Sequence, residues 1–141
     1  MRPKLLLRIA AILMLLHTIG HTIGALISSE PPNARVGLVI KGMETEHFDF
    51  MGRNTTISQF YNGYGVITIF VLLLISVQLW LLASIQNKIM ALTLAVYLLL
   101  TAGCEFIYFF PFASLVSLLA GIATLIAYYK IKVNSQKTAH G

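Results

Sequence analysis

Charge is what this sequence lacks most. Only 11% of its 141 residues are Asp, Glu, Lys or Arg, where an ordinary soluble domain carries about 25%. Hydrophobic residues make up 57%, and mean hydropathy is +0.82. A soluble fold this small cannot hide that much apolar surface, so lipid is the solvent the composition suits. Cysteine is nearly absent too: Cys104 stands alone, which excludes an intrachain disulfide, a Cys-x-x-Cys redox pair and a cysteine-rich metal site. No Gly-rich phosphate loop, Ser-His-Asp order or dinucleotide-binding fingerprint occurs, so soluble-type nucleotide and acyl-transfer chemistry has no support. No internal repeat or low-complexity tract is present. The formal charge of +5 does not point to nucleic acid, because the basic residues flank apolar runs instead of forming an aromatic-interleaved patch.

What is there is four apolar stretches. Spanning hydrocarbon takes about 20 mostly apolar residues. Stretches of that kind run from about Leu5 to Ser28, Tyr61 to Ala83, Ile89 to Phe110 and Phe112 to Tyr129. Residues 84–88 read as a short polar turn, and Phe110-Pro111 breaks an otherwise overlong helix because proline cannot donate the interior hydrogen bond. The expected fold is therefore all-α: an integral membrane antiparallel four-helix bundle, residues 1–141 forming a single transmembrane domain. Arg2, Lys4, Arg8, Lys88, Lys130, Lys132 and Lys137 flank one side with no acid among them, which puts both termini in the cytoplasm. The long loop 29–58 carries one net negative charge and belongs outside. Within it, Val36, Val39, Ile40 and Met43 recur at helical spacing behind Pro31-Pro32-Asn33, predicting a short amphipathic interfacial helix, followed by an irregular stretch from His47 to Gln59. That helix serves as an anchor or as a lid. Asn54-Thr55-Thr56 matches a glycosylation acceptor. The basic start and apolar run can also be read as a cleavable signal, but two imidazoles, two glycines and Arg8 make a poor signal core. The tail 130–141 is polar enough to be disordered.

In lipid, helix interfaces use small residues and polar side chains. His17, Gly20, His21, Gly24 and Ser28 share one arc of the first span; Tyr61, Gly65, Thr68 and Ser76 share one on the second. Thr101, Glu105 and Tyr108 do so on the third, and Ser114, Ser117, Gly121, Thr124 and Tyr128 on the fourth. Packing these seams together predicts a polar interior, with Leu, Ile, Val and Phe turned outward.

Glu105 is the one acid inside a span, and a charge at bilayer depth costs about 2.5 to 3.5 kcal/mol, so it needs a partner. Glu105 lies 16 residues beyond Ile89 and His21 lies 16 beyond Leu5. Both then sit roughly 24 Å from the cytoplasmic side, with His17 about 6 Å deeper. A His21–Glu105 pair is the resulting expectation. Four roles fit such a cluster. It can staple the helices; it can form a pocket in which imidazole and carboxyl exchange a proton with a quinone, sterol or other lipophilic molecule; it can serve a proton relay; or His17, His21 and Glu105 can hold a metal with His47 or Asp49 as a fourth ligand, a weak motif without the glutamate of the zincins. A haem ligated on both faces by His17 and His21 is excluded, because both rings leave one face of one helix. No cofactor can be named. Tyr61, Asn62 and Tyr64 at the outer end of the second span are either an interfacial belt or the rim of a pocket floored by His21 and Glu105, with Thr101 and Tyr108 as further binding residues. Cys104 reads as a small core residue and Trp80 as an interface residue.

The stretch Leu6-Leu7-Arg8-Ile9-Ala10, running on to His17-Thr18-Ile19-Gly20-His21, resembles the opening helix of DoxX-like membrane proteins. The likeness covers that helix and the four-span layout. It implies a small bacterial inner-membrane protein, some relatives of which accompany quinone-linked redox systems; the lack of a cysteine pair departs from a redox role, and the two histidines map to no family site. The expected function is binding or transforming a small lipophilic molecule at an outward-facing polar pocket around His21, Glu105 and His17. The alternative is a non-catalytic accessory or scaffold subunit, with a membrane-protein partner or a second copy.

Overall fold

The computed structural model describes residues 2–26 and 30–139. In chain order they form α1 (Pro3–Leu26), α2 (Ala34–Thr45), β1 (His47–Phe50), β2 (Arg53–Thr56), α3 (Ile57–Ile85), α4 (Lys88–Tyr108) and α5 (Pro111–Ala139). The described residues are thus helical apart from one small hairpin and the short connections. α1, α3, α4 and α5 each contain a stretch long and apolar enough to cross a membrane. No more than 39% of any of these stretches is buried inside the protein, so most of their apolar surface faces outward. The boundaries differ from expectation in two places. α3 begins four residues ahead of Tyr61, and α5 runs through the tail as far as Ala139, where disorder is the expectation. The reason for the second lies in residues 130–139, which contain no proline or glycine, while Ile131, 5% exposed, ties this segment into the core. Ser28, placed on the first seam above, lies outside the described residues.

Two compact units make up the chain: Met1–Ile19 with Val71–Gly141, and Gly20–Phe70. In the first, Leu7 and Met14 of α1, Leu79 and Leu82 of α3 and Leu98 of α4 share one fully buried core with Ala120 and Ala127 of α5. This corrects the expected interior. Leucine and methionine fill it alongside the polar seams, and alanine supplies the close approach. On α5 the buried residues Ala113, Ser117, Ala120, Thr124, Ala127 and Ile131 alternate at spacings of four and three, the pattern of a coiled-coil seam. On α4, Ala91, Ala95, Leu98 and Ala102 do the same. Ser114 Oγ donates to the Ala102 carbonyl at 2.8 Å, and a Cβ on Gly121 would meet Leu99 Cδ2 at 3.0 Å. As one position rises the other falls, so α4 and α5 run antiparallel. The break between them falls where Phe109 leaves helical geometry and Pro111 opens the next helix. Ser76 Oγ on α3 donates to the Ala11 carbonyl on α1 at 2.9 Å, and the Arg8 guanidinium lies 5.0 Å from the Trp80 ring centre; these pairings make α1 and α3 antiparallel too.

The second unit holds α2, the hairpin and the opening of α3. Asn33 caps α2, its side chain accepting from the Val36 N–H at 3.0 Å, as the Pro-Pro-Asn start predicts. The apolar face of α2 is open: Leu38, Val39 and Ile40 are exposed. Residues 47–56, expected to be irregular, instead pair antiparallel with Phe50 opposite Arg53. Met51 and Gly52 between them take φ of 53° and 85°, the two-residue turn whose twist suits a hairpin. Asp49 Oδ1 accepts from the Gly52 N–H at 3.0 Å and closes it. Phe60 packs edge-on against Phe50, ring centres 4.9 Å apart, and Phe48 stacks on it at 6.0 Å. α3 then starts in a reciprocal cap. Thr56 Oγ1 accepts from the Gln59 N–H at 3.2 Å, while Gln59 Oε1 accepts from the Thr56 N–H at 3.3 Å and the Thr55 hydroxyl at 2.8 Å. Thr56→Ala removes half of this box and is expected to cost about 1 kcal/mol locally, seen as amide hydrogen exchange several-fold faster at residues 57–60 with the rest of α3 unchanged; unchanged exchange there would mean the cap does not hold the helix start.

Candidate functional site

The polar centre of the first unit is built from three helices. α1 supplies His17, α4 supplies Glu105 and α5 supplies Ser117. His17 Nε2 lies 3.5 Å from Glu105 Oε1, an ion-pair distance longer than a full hydrogen bond, with side-chain exposures of 9% and 12%. On the other side of the same ring, Nδ1 is 3.2 Å from Ser117 Oγ, and Ser117 is fully buried. One imidazole thus bridges a hydroxyl and a carboxylate. In its neutral form with the proton on Nε2, the Ser117 O–H donates to Nδ1 and Nε2–H points toward Glu105. Glu105 Oε2 is buried and has no hydrogen-bond partner among the described residues. A lone acceptor of this kind in an apolar interior is costly and is the feature that most needs explaining. Thr101, one turn before Glu105 on α4, is half-buried on the same side.

This corrects the expected pairing. Glu105 pairs with His17, one helical turn from the residue expected. His21 belongs to the second unit, where its Nε2 lies 3.2 Å from the Gly65 carbonyl of α3. Because a carbonyl only accepts, Nε2 is the donor in this contact. Tyr108, expected to line the pocket, is 77% exposed, and Cys104, expected in the core, is also exposed. Cys104 points about 100° away from Glu105, whereas Tyr108 shares the arc of Glu105 but is the last residue of α4.

A separate hollow of about 450 Å³ lies wholly in the second unit, between the hairpin and the first turns of α3. Tyr64 lines it with Arg53, Gln59, Phe50, Phe60 and Ile67, whereas Tyr61 and Asn62 are exposed outside its lining. This hollow is not the pocket expected from the sequence, because neither His21 nor Glu105 lines it. Arg53, Gln59 and the two phenylalanines were not singled out from the sequence as site residues; the readable signal was Thr56-x-x-Gln59, a capping box that fixes where α3 starts and brings the hairpin onto it. Gly63, Gly65, Gly20 and Gly24 meet no other atom of their own unit within 4 Å of where a Cβ would sit, so Gly20-x-x-x-Gly24 is not a close-packing contact there.

Comparison with protein-family models, curated proteins and solved structures finds no match. The chemistry must therefore be argued from the side chains. Within each unit, no three His, Cys, Asp or Glu side chains among the described residues gather as a metal-ligating group. The ligands suggested from the loop have local tasks instead: His47 Nδ1 lies 2.9 Å from the Thr45 carbonyl, and Asp49 closes the hairpin turn. What the first unit offers is an acceptor oxygen facing away from its histidine partner, with a hydroxyl–imidazole–carboxylate chain behind it able to take up or return a proton.

Proposed function

We propose that this is a multi-pass membrane protein whose four long helices pack as an antiparallel bundle and bind a small lipophilic molecule at Glu105. The single observation carrying this reading is the buried, unpartnered Glu105 Oε2 beside a His17 already engaged on both ring nitrogens. An acceptor left open in that setting asks for a donor, so the chemical class is a lipophilic molecule bearing a hydroxyl or phenol, with Ser117, His17 and Glu105 as the path for proton exchange. The basic residues at one end of the spans support a cytoplasmic position for both termini by the positive-inside rule. α2, capped and apolar on its open face, lies in the outer interface. The resemblance to DoxX-like proteins agrees with the four-span layout and an inner-membrane location.

The second reading is an accessory or scaffold subunit, favoured by the fact that His17 links three helices at once. One experiment separates the two. Full-length protein purified in mild detergent is expected to retain about one hydroxyl-bearing lipophile per chain, identified by mass spectrometry of the extract. Glu105→Gln, which keeps the shape but loses the charge-assisted acceptor, is expected to retain at least fivefold less. Equal retention in both proteins would defeat the binding reading.

A further inference from the structure

Arg8 is the other charged group set within an apolar helix, and it meets no carboxylate among the described residues of its own unit. In the first unit the only acidic side chain is Glu105, nine residues along α1 from Arg8 by way of His17, or about 13 Å. Arg8 is half-buried, and its Nε is buried with no hydrogen-bond partner among the described residues. Its guanidinium carbon lies 5.0 Å from the centre of the Trp80 ring, which is itself 49% exposed. An aromatic face lowers the cost of holding the cation there but takes up none of its N–H donors.

The surroundings all carry the same sign. Lys4 lies one turn before Arg8 on the same face of α1. The His17–Ser117 contact sets α5 level with α1, which puts Lys130 at the height of Lys4, about 6 Å nearer the helix ends than Arg8, and Lys132 about 3 Å beyond. Counting down α4 from Glu105 brings Lys88 to the same end. These cations therefore lie toward one end of the spans, with Arg8 set deepest among them. Long basic side chains at such a level lay their stems along apolar surface and extend their heads toward the interface.

We propose that Arg8, backed by Trp80 and with Lys4, Lys88 and Lys130 nearer the same ends of the helices, binds the phosphodiester of an anionic phospholipid of the cytoplasmic leaflet. The forked guanidinium donors match phosphate oxygens, the unpartnered Nε gains an acceptor, and the acyl chains run beside the exposed apolar faces of α1 and α3. The lysines add long-range attraction, so a headgroup with net negative charge is preferred over a zwitterionic one. This inference rests on the membrane reading given above and is independent of the ligand at Glu105.

Trp80 is the only tryptophan and so reports on the site directly. The intact protein is reconstituted in bilayers containing either phosphatidylglycerol or phosphatidylcholine brominated high on one acyl chain, and quenching of Trp80 fluorescence is read at equal mole fraction. The expected result is about fivefold preferential association of phosphatidylglycerol at Trp80, abolished in Arg8→Gln and partly kept in Arg8→Lys, which retains charge without the fork. Equal quenching by both lipids in the unmutated protein overturns the site while leaving the membrane reading intact. Quenching by neither overturns both. If millimolar inorganic phosphate erases the preference at constant ionic strength, a free phosphate is the ligand and the lipid assignment fails. The comparison in unmutated protein is decisive even if Arg8→Gln does not fold.

Discussion

His17→Leu is expected to cost about 3 kcal/mol of folding stability, because it strands the Glu105 carboxyl in a buried position with neither oxygen satisfied. Glu105→Leu is expected to cost less, about 2 kcal/mol, since a neutral imidazole left with one open nitrogen is cheaper to bury than an isolated carboxylate. The informative variant combines them. With both replaced by leucine, the Ser117 hydroxyl, which loses its contact with His17, turns on a helix to the carbonyl four residues back. The double variant is expected to lie within about 1 kcal/mol of the unmutated protein, so that the two changes are strongly non-additive. Unfolding in mixed detergent micelles, followed through Trp80, measures the cycle. Costs that simply add would show that the two side chains do not interact. The same double variant decides between the two functional readings: if it is stable and no longer retains a lipophile, the pair exists for the ligand; if it is stable and retains one as before, the pair is a staple and the binding reading fails.

The pairing error of one turn shows where sequence reasoning stops. That Glu105 needs a histidine from the first span follows from the cost of a buried charge, and it holds. Which histidine depends on the relative height of two helices, and that was obtained by counting from Leu5 and Ile89 as though both entered the membrane at one level. Hydropathy fixes the edge of a span only to within a few residues, because side chains such as Lys4 and Lys88 reach along apolar surface without marking where the helix begins. Four residues, about 6 Å, is the size of that uncertainty. The Asn33 cap and the helix after it were readable because a cap is local. The hairpin was equally local, yet Met51-Gly52 is a less familiar turn than Asn-Gly, and the phenylalanines flanking it gave no clean alternation. The alanine seams of α4 and α5 were missed for another reason. Polar and glycine residues are not the only small residues of an interface: Ala113, Ala120 and Ala127 repeat every seventh position and let two helices approach through side chains that carry no polar group.

That seam makes Gly121 the position least able to accept a side chain. A Cβ there would meet Leu99 Cδ2 at 3.0 Å, Leu99 Cγ at 3.1 Å and Leu98 Cβ at 3.3 Å. Leu98 is fully buried in the shared core and meets the added group through its Cβ, which moves only with the backbone, whereas the end of Leu99 is a flexible side chain. Gly121→Ala therefore asks for a shift of a few tenths of an ångström by a flexible group. Gly121→Leu must push α4 and α5 apart along the alanine seam and is expected to cost about 3 kcal/mol, the upper end for overpacking. The loss should reach beyond the contact, because Ser114 lies within two turns of Gly121 on the same helix and depends on the same approach of α4 and α5 for its bond to Ala102. Gly103 on α4 supplies the control: nothing among the described residues lies within 4 Å of its would-be Cβ, so Gly103→Ala should be neutral or stabilise by about 0.5 kcal/mol through helix propensity alone. Thermal unfolding of the two variants in the same detergent measures the contrast. A Gly121→Leu protein as stable as the Gly103→Ala protein would mean that α4 and α5 do not touch at this level, and with that contact would go the register that sets Ser114 against Ala102.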